Sequence, residues 1–316
     1  MIISIIWFVC GLVILTIGAE GLVRGSSALA LRLGISPLVI GLTIVAFGTS
    51  APELAVSVEA AASGSSSISI GNVIGSNIAN IALILGLAAM IQPMRVQPTL
   101  LTVQIPIMIG VSLLLWGMTL DGSIGVGDGA VLFSGIMLYV VYSYRSARTG
   151  EMPGLAQPLP DASPALLSKT WFCLVLIAAG LAGLVAGGSL LVDAAVEIAR
   201  FFDVPESVIG LTIVAIGTSM PELATSVVAA VRKEADIALG NIVGSNIFNI
   251  LGILGVASLI NPLSSTDFSR VDFALMVGIA IVLLPMAWTH RRLGRLEGLF
   301  LFVTYIGYLY YLGPKT

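Results

Sequence analysis

Charge is scarce in this sequence. Of 316 residues, 57% are hydrophobic and 10% charged, against roughly 25% charged in an ordinary soluble domain. Such a composition excludes a large soluble domain. The net charge of −3 is spread over short loops and identifies no partner. No nucleic acid and no obligate protein partner is implied; the lipid bilayer is the partner that the composition demands. Histidine is nearly absent. The one present, His290, lies in a basic loop and is expected to be solvated. An intramembrane serine protease needs a base beside its serine, so the chain is expected not to be an enzyme. Cysteine is almost as rare: Cys10 and Cys173 both fall inside apolar runs, which points to buried thiols rather than a disulfide. The short alternating segments of a β-barrel are missing too. No basic stretch precedes the first apolar run and no convincing cleavage site follows it. That run is therefore expected to be a retained helix rather than a signal peptide.

What is present is length in apolar runs. Mean hydropathy is +1.06, and runs of about 20 residues, the span of a bilayer, recur throughout. They predict an all-α polytopic membrane protein with ten spans near 2–22, 36–62, 68–91, 99–120, 127–145, 170–192, 205–231, 237–260, 272–289 and 296–312. One long polar connection, 146–168, is rich in Pro, Ser and Gly and reads as a linker. It divides the chain into a first five-helix repeat, 1–145, and a second, 169–316.

The two halves repeat each other. "IGLTIVAFGTSAPELAVSV" at 40–58 returns as "IGLTIVAIGTSMPELATSV" at 209–227, differing only at Phe47/Ile216, Ala51/Met220 and Val56/Thr225. A shift of 169 also carries "ISIGNVIGSNIANIALILGL" at 68–87 onto "IALGNIVGSNIFNILGILGV" at 237–256. An odd number of spans per half makes the second half enter the membrane the other way round. The expected architecture is a 5+5 inverted-topology repeat, typical of secondary transporters. Of the fourteen Lys and Arg residues, only Arg200, Arg270 and Lys315 fall on one side. The richer side is expected to be cytoplasmic. Both termini would then lie outside a cell (inner) membrane, and the 146–168 linker in the cytoplasm.

The repeated motif breaks its own helix. Pro52 lacks an amide hydrogen and its ring clashes with the carbonyl of Gly48, so the carbonyls of Ala46, Phe47 and Gly48 are expected to lose helical partners. In a membrane such groups are tolerated only inside protein or along a watery cavity. With Thr49, Ser50 and Glu53 they form a cluster of hard oxygens, the ligands that Na⁺ and Ca²⁺ prefer. Gly217 and Pro221 repeat the arrangement for Ala215, Thr218, Ser219 and Glu222. Glu53 and Glu222 carry the strongest functional signal, because a carboxylate within the bilayer costs several kcal/mol. Asn80 and Asn249, matched in otherwise apolar runs, are candidates for the same site. Gly71, Gly75, Gly240 and Gly244 are expected simply to let helices approach closely. Glu59 is expected at an interface, and Asp121 and Asp128 in a solvated turn. Two glutamates facing each other repel when both are ionised. A divalent cation, two or three monovalent ions, or a proton would each relieve this. Ca²⁺ takes roughly six to eight oxygens, more than two carboxylates supply, and main-chain carbonyls can complete its shell; Mg²⁺ fits less well. Charge counting favours Ca²⁺ exchanged for Na⁺ and leaves H⁺ open as the counter-ion.

These motifs carry a resemblance. "GTSAPE" with "GNVIGSNIAN", and "GTSMPE" with "GNIVGSNIFN", resemble the α-1 and α-2 repeats of the sodium/calcium exchanger family, in the cation/calcium antiporter superfamily. The likeness spans essentially the whole chain and matches the prokaryotic ten-helix type. It implies a Ca²⁺ site formed by the carboxylates of Glu53 and Glu222 with main-chain oxygens of Thr49 and Thr218. It implies flanking Na⁺ sites, one using Ala46 and Ser76, the other Ala215 and Ser245, with Thr49, Thr218 and the glutamates shared. Ser50 and Ser219 would lie beside the site, and Asn80 would complete its centre. Some members, including K⁺-dependent ones, carry Asp where this chain has Asn249, which argues against K⁺ dependence. The resemblance further implies three Na⁺ per Ca²⁺, with spans 1 and 6 steeply tilted and sliding over the core. The ions are cargo and no cofactor is implied. The expected function is Na⁺/Ca²⁺ antiport by alternating access. An H⁺/Ca²⁺ exchanger is the alternative and a cation channel a more distant one, since inverted repeats suit exchange of access better than a pore.

Overall fold

The computed structural model describes residues 2–148, 167, 169–202 and 215–312. Nearly all of them are helical. The first half contains α1 (Ile2–Leu33), α2 (Pro37–Thr49), α3 (Ala51–Ala62), α4 (Ser66–Ile91), α5 (Leu100–Asp121) and α6 (Val126–Arg148). The second contains α7 (Thr170–Phe201), α8 (Ala215–Thr218), α9 (Met220–Val231), α10 (Ala235–Ile260), α11 (Arg270–Trp288) and α12 (Arg295–Leu312). Seven of these helices are long and apolar enough to cross a membrane, and α2 with α3 forms one further, bent span. The predicted count of ten includes 205–214, which lies outside the described residues, as does most of the 146–168 linker.

Spans 1 and 6 run well past their predicted ends at 22 and 192. Glu20 and Arg24 do not stop α1: they stand one turn apart and pair at 2.6 Å. The helix stops only at Gly34, whose φ of +65° is the left-handed cap that a glycine adopts freely. At 1.5 Å per residue, the 32 residues of α1 measure about 48 Å, against roughly 30 Å of hydrocarbon. A helix this long must tilt or project. It packs antiparallel along α7 with backbones almost touching: a Cβ on Gly18 would stand 2.8 Å from the Gly180 carbonyl, and one on Gly187 would stand 2.5 Å from the Leu15 nitrogen. Cys173 is buried under this pair, whereas Cys10 is only half-buried; both are free thiols.

Burial separates a core from a periphery. In α4 and α10, 72% and 83% of the spanning window is buried, against 28% in α1 and 33% in α7. The core helices also depart from α geometry. Wide π turns occupy Gly41–Val45 in α2, Ala79–Leu85 in α4, Leu100–Gln104 in α5 and Asn249–Leu254 in α10. Nothing in the residue pattern signals these turns, which often mark functional sites. Two of them hold Asn80 and Asn249.

The halves interlock. Strand β1 (Met94–Arg95) pairs antiparallel with β4 (Arg292–Leu293), and β2 (Ser123–Ile124) with β3 (Leu263–Ser264). A shift of 169 turns one ribbon into the other, and each joins the first half to the second. The β1–β4 ribbon shares its end of the helices with Gln97 bonded to Asp236, Ser27 to Glu234, and Arg232 to Glu20. The β2–β3 ribbon shares the opposite end with Ser67 bonded to Asp267, Asn261 to the Ala61 carbonyl, and Ser4 to Glu197. Polar groups thus sort onto two faces, as oppositely inserted repeats require.

Candidate ion-binding site

Both broken helices fail at the same residue. Ser50, with φ −83° and ψ 9°, separates α2 from α3, and the two axes diverge by 47°. Ser219, with φ −88° and ψ 10°, separates α8 from α9. Pro52 and Pro221 sit in the new first turns, where a missing N–H costs nothing. The ladder resumes with Leu54 donating to the Ser50 carbonyl (3.1 Å) and Leu223 to that of Ser219 (3.0 Å). One expectation is corrected: Ala46 keeps its helical partner, because Ser50 N–H donates to it at 3.1 Å. The proline ring reaches back only to Gly48, so the disruption starts later than predicted. Each break points the negative end of one helix and the positive end of the next toward the same place. Glu53 and Glu222 lie in those new first turns, where a helix N-terminus favours a carboxylate.

The carboxylates are buried and held crosswise. Each is 1% exposed. Ser50 Oγ donates to Glu222 Oε1 at 2.8 Å, and Ser219 Oγ donates to Glu53 Oε1 at 3.1 Å. Each glutamate thus depends on a serine from the other half. Their remaining oxygens, Glu53 Oε2 and Glu222 Oε2, have no hydrogen-bond partner. Neither do both polar atoms of Asn80, nor Asn249 Oδ1. Orphaned polar atoms are costly in a protein interior. Others are scattered through the protein, but these five belong to the four matched residues singled out by charge and amide chemistry in apolar runs. Apart from one Asn80 amide nitrogen, all of them are oxygens able to bind a hard cation.

The two serines expected in the Na⁺ half-sites each stand beside the opposite repeat. Ser245 was expected beside Ala215, but its Oγ lies 3.5 Å from the Ala46 carbonyl, across the repeat boundary. Ser76, expected beside Ala46, meets Ser219 Oγ at 3.3 Å instead, next to Glu53. The reason is packing: α10 lies against α2, so each serine faces the opposite repeat. The side chain of Ala215 lies outside the described residues. Thr49 is fully buried and its hydroxyl is engaged with Asn241 Oδ1 at 3.0 Å, which leaves its main chain for other contacts. Thr218 is half-buried.

Further amides and serines surround this centre that were not singled out from the sequence. Asn72 donates to Ser57 at 2.9 Å, and its repeat mate Asn241 donates to Ser226 at 3.1 Å. Asn72 also donates to the Glu53 carbonyl at 3.1 Å. Asn249 donates to Asn77 Oδ1 at 3.0 Å, and Asn77 to the Asn246 carbonyl at 3.3 Å. All six residues recur at the same shift, a signal the sequence did contain. The packing expectation holds for Gly240 and Gly244, where a Cβ would stand 2.8 Å from the Leu38 carbonyl and 2.6 Å from that of Leu42. A Cβ on Gly71 would stand 3.3 Å from the Phe268 ring, and one on Gly75 would meet nothing within 4 Å among the described residues. Glu59 and His290 are exposed; Asp121 and Asp128 cap turns at Ser123 and Gly125. Among the described residues no three of His, Cys, Asp and Glu gather to hold a metal.

Comparison with known proteins places the chain in a family. The family described as sodium/calcium exchanger protein matches residues 3–145 and 172–313. CaxA of Alkalimonas amylolytica is 40% identical over 99% of both chains. The sodium/calcium exchanger MaX1 of Methanosarcina acetivorans is 33% identical over 95% of each. A solved structure of the sodium-calcium exchanger NCX_Mj, soaked with zero Na⁺ and Ca²⁺, superposes with a TM-score of 0.86 at 34% identity, covering 98% of this chain and 99% of that one. With its paired breaks, crossed serines and buried carboxylates, this multi-pass membrane protein belongs to the sodium/calcium exchanger family.

Proposed function

We propose that the protein exchanges Na⁺ for Ca²⁺ by alternating access, with the ions held between Glu53 and Glu222. The observation that carries this is the crossed pair: each carboxylate is fixed through one oxygen by the other repeat's serine, and its second oxygen has no protein partner. Two such oxygens match the charge of Ca²⁺. The Asn80 and Asn249 amide oxygens, together with main-chain oxygens of Thr49 and Thr218, supply neutral ligands. Na⁺ would use Ala46 with Ser245 on one side and Ser76 with the Ser219–Glu53 pair on the other. Because both glutamates are shared, Ca²⁺ and the full set of Na⁺ ions compete for the same charges, and competition for shared ligands is what couples the two fluxes. No enzymatic step and no cofactor is involved. The face carrying most Lys and Arg is the cytoplasmic one, the linker lies on it, and the two five-helix repeats, 1–145 and 169–316, act as one unit.

The α1–α7 pair supplies the moving part. It is packed within itself by glycine contacts and meets the core over a smaller surface. In this structure α1 packs along α9, while the matching contact of α7 with α3 is barely made. The α1–α9 contact would close the core on the basic face. Three Na⁺ for one Ca²⁺ moves one net charge, worth about 2.3 kcal/mol per 100 mV. Proteoliposomes loaded with ⁴⁵Ca²⁺ test this. External Na⁺ should release the label, faster when valinomycin sets an inside-negative potential. Release driven by external acid and indifferent to Na⁺ would replace Na⁺ with H⁺ as the coupling ion.

A further inference from the structure

The two ribbons have the same backbone and opposite chemistry. In β2–β3, Ser123 stands opposite Ser264. In β1–β4, the same two positions hold Arg292 and Arg95, directly opposite one another. Side chains so placed have Cβ atoms about 4.5–5.5 Å apart, and like charges there destabilise the pair. The neighbouring Met94 and Leu293 point inward and are fully buried, so both arginines face outward. Among the described residues no carboxylate pairs with either of them, nor with Arg291 or Arg295. The β2–β3 ribbon shows that this turn folds with serines. The arginines are not there to make the ribbon.

Backbone strain points the same way. Gly122 next to Ser123 has φ +89°, a left-handed conformation natural to glycine. The matching residue is Arg291, held at φ +49°, and His290 before it is at +60°. Two consecutive side-chain-bearing residues in that region carry strain where the other repeat uses a glycine. The cluster borders apolar surface: Leu296 is 79% exposed, Trp288 58% and Phe300 55%. Trp288 ends α11, one of the helices long and apolar enough to cross a membrane, and Leu296 and Phe300 lie in the first turns of α12 beside it. A preference for basic residues on one face needs only a count of charges. It does not need two arginines facing each other beside a strained third.

We propose that Arg95, Arg291, Arg292 and Arg295 form a binding site for the phosphate of an anionic phospholipid headgroup, in the leaflet on the basic face. A guanidinium fork suits a phosphate diester, and a phosphate between Arg95 and Arg292 converts a repulsive pair into a bridged one. The acyl chains would lie along Leu296 and Phe300, with Trp288 at the interface. Bound there, the lipid would brace the ribbon that ties the two repeats together.

The test is lipid retention by native mass spectrometry, with melting temperature as a second reading, on the full chain in detergent with phosphatidylglycerol or phosphatidylcholine added. The wild-type protein should retain and be stabilised by phosphatidylglycerol only. Arg95→Ser with Arg292→Ser copies the other ribbon and should weaken retention about 30-fold, in line with two arginines near an anionic surface. Arg291→Gly should raise the melting temperature without lipid while lowering retention, opposite signs that a purely structural role would not give. Undiminished retention in the double variant, or equal retention of phosphatidylcholine, would overturn the proposal. Stabilisation by inorganic phosphate matching that by the lipid would overturn the lipid as occupant.

Discussion

Ser50 donates to Glu222 and Ser219 to Glu53, so a shift of 169 maps the crossed serine–glutamate pairs onto each other. The same shift fails where α1 meets the core. Arg232 bonds Glu20, which also pairs with Arg24, and Ser27 donates to Glu234 at 2.9 Å. Their mates are Ser63, Ser189, Asp193, Val196 and Ser65, which cannot make an ion pair of this kind. One junction between the outer helices and the core is held by this ion pair, and the matching positions of the other cannot repeat it. An exchanger must present the same ligands to both sides of a membrane, which keeps its centre symmetric. Its two closures need not be equally strong, and their difference sets which state is favoured.

Removing charge from the centre should have the largest effect. Glu53→Gln or Glu222→Gln leaves one carboxylate for a divalent ion, and each should reduce Na⁺-driven ⁴⁵Ca²⁺ flux in proteoliposomes to background. The two losses should match. Near-normal flux in either variant would remove that glutamate from the site.

The serines should come next. A hydrogen bond to a charged group contributes about 1.5–3 kcal/mol, so Ser50→Ala or Ser219→Ala should weaken Ca²⁺ binding by roughly 10- to 100-fold. The bonds are similar, 2.8 and 3.1 Å, so calorimetric affinities should fall alike. A large effect from one serine and none from the other would break the symmetry of the centre.

Asn249 offers a smaller and deliberately unequal test. Its amide nitrogen donates to Asn77 Oδ1, whereas both polar atoms of Asn80 have no partner. Asn249→Asp replaces that donor with an anion against an acceptor oxygen and should lower thermal stability; Asn80→Asp loses no bond and should cost less. Asn249→Asp also adds a third carboxylate, and K⁺-sensitive flux is the expected gain. Equal melting temperatures and no response to K⁺ would argue that Asn249 is not at the centre.

The sequence made the chemistry of the centre legible because it contains it twice. A proline four residues after a glycine, followed by a glutamate, is odd once in a hydrophobic span and informative when repeated. Two things stayed hidden. The crossed grouping of Ala46 with Ser245 depends on which face of α10 meets α2, and a list of matched residues cannot reveal that. The π turns at Asn80 and Asn249 come from packing in the tertiary fold. The ends of α1 and α7 differ for a simpler reason: apolar runs mark only the part of a helix that crosses the bilayer, and α1 continues past it through the Glu20–Arg24 pair.

The ionic junction should give the smallest effect, and it is the one that separates periphery from centre. Glu20 and Arg232 side chains are 30% and 33% exposed. Pairs of that kind contribute about 0–1 kcal/mol, too little to matter for folding. A conformational equilibrium between nearly equal states is far more sensitive: 1 kcal/mol shifts it about fivefold. If the pair holds α1 against α9 in the state with the basic face covered, Glu20→Gln or Arg232→Gln should shift the protein toward the opposite state. Ca²⁺ would then bind more readily from the basic face, and the apparent affinities measured in inside-out and right-side-out vesicles should move in opposite directions. The swapped pair Glu20→Arg with Arg232→Glu should restore much of the wild-type balance. Ser63→Ala and Ser189→Ala, at the matching positions, should do nothing. High salt should mimic the single variants, since exposed pairs are screened. A uniform loss of affinity on both faces, with no rescue by the swap, would mean that this contact acts on the ion site itself and that the molecule has no separate, asymmetric closure there.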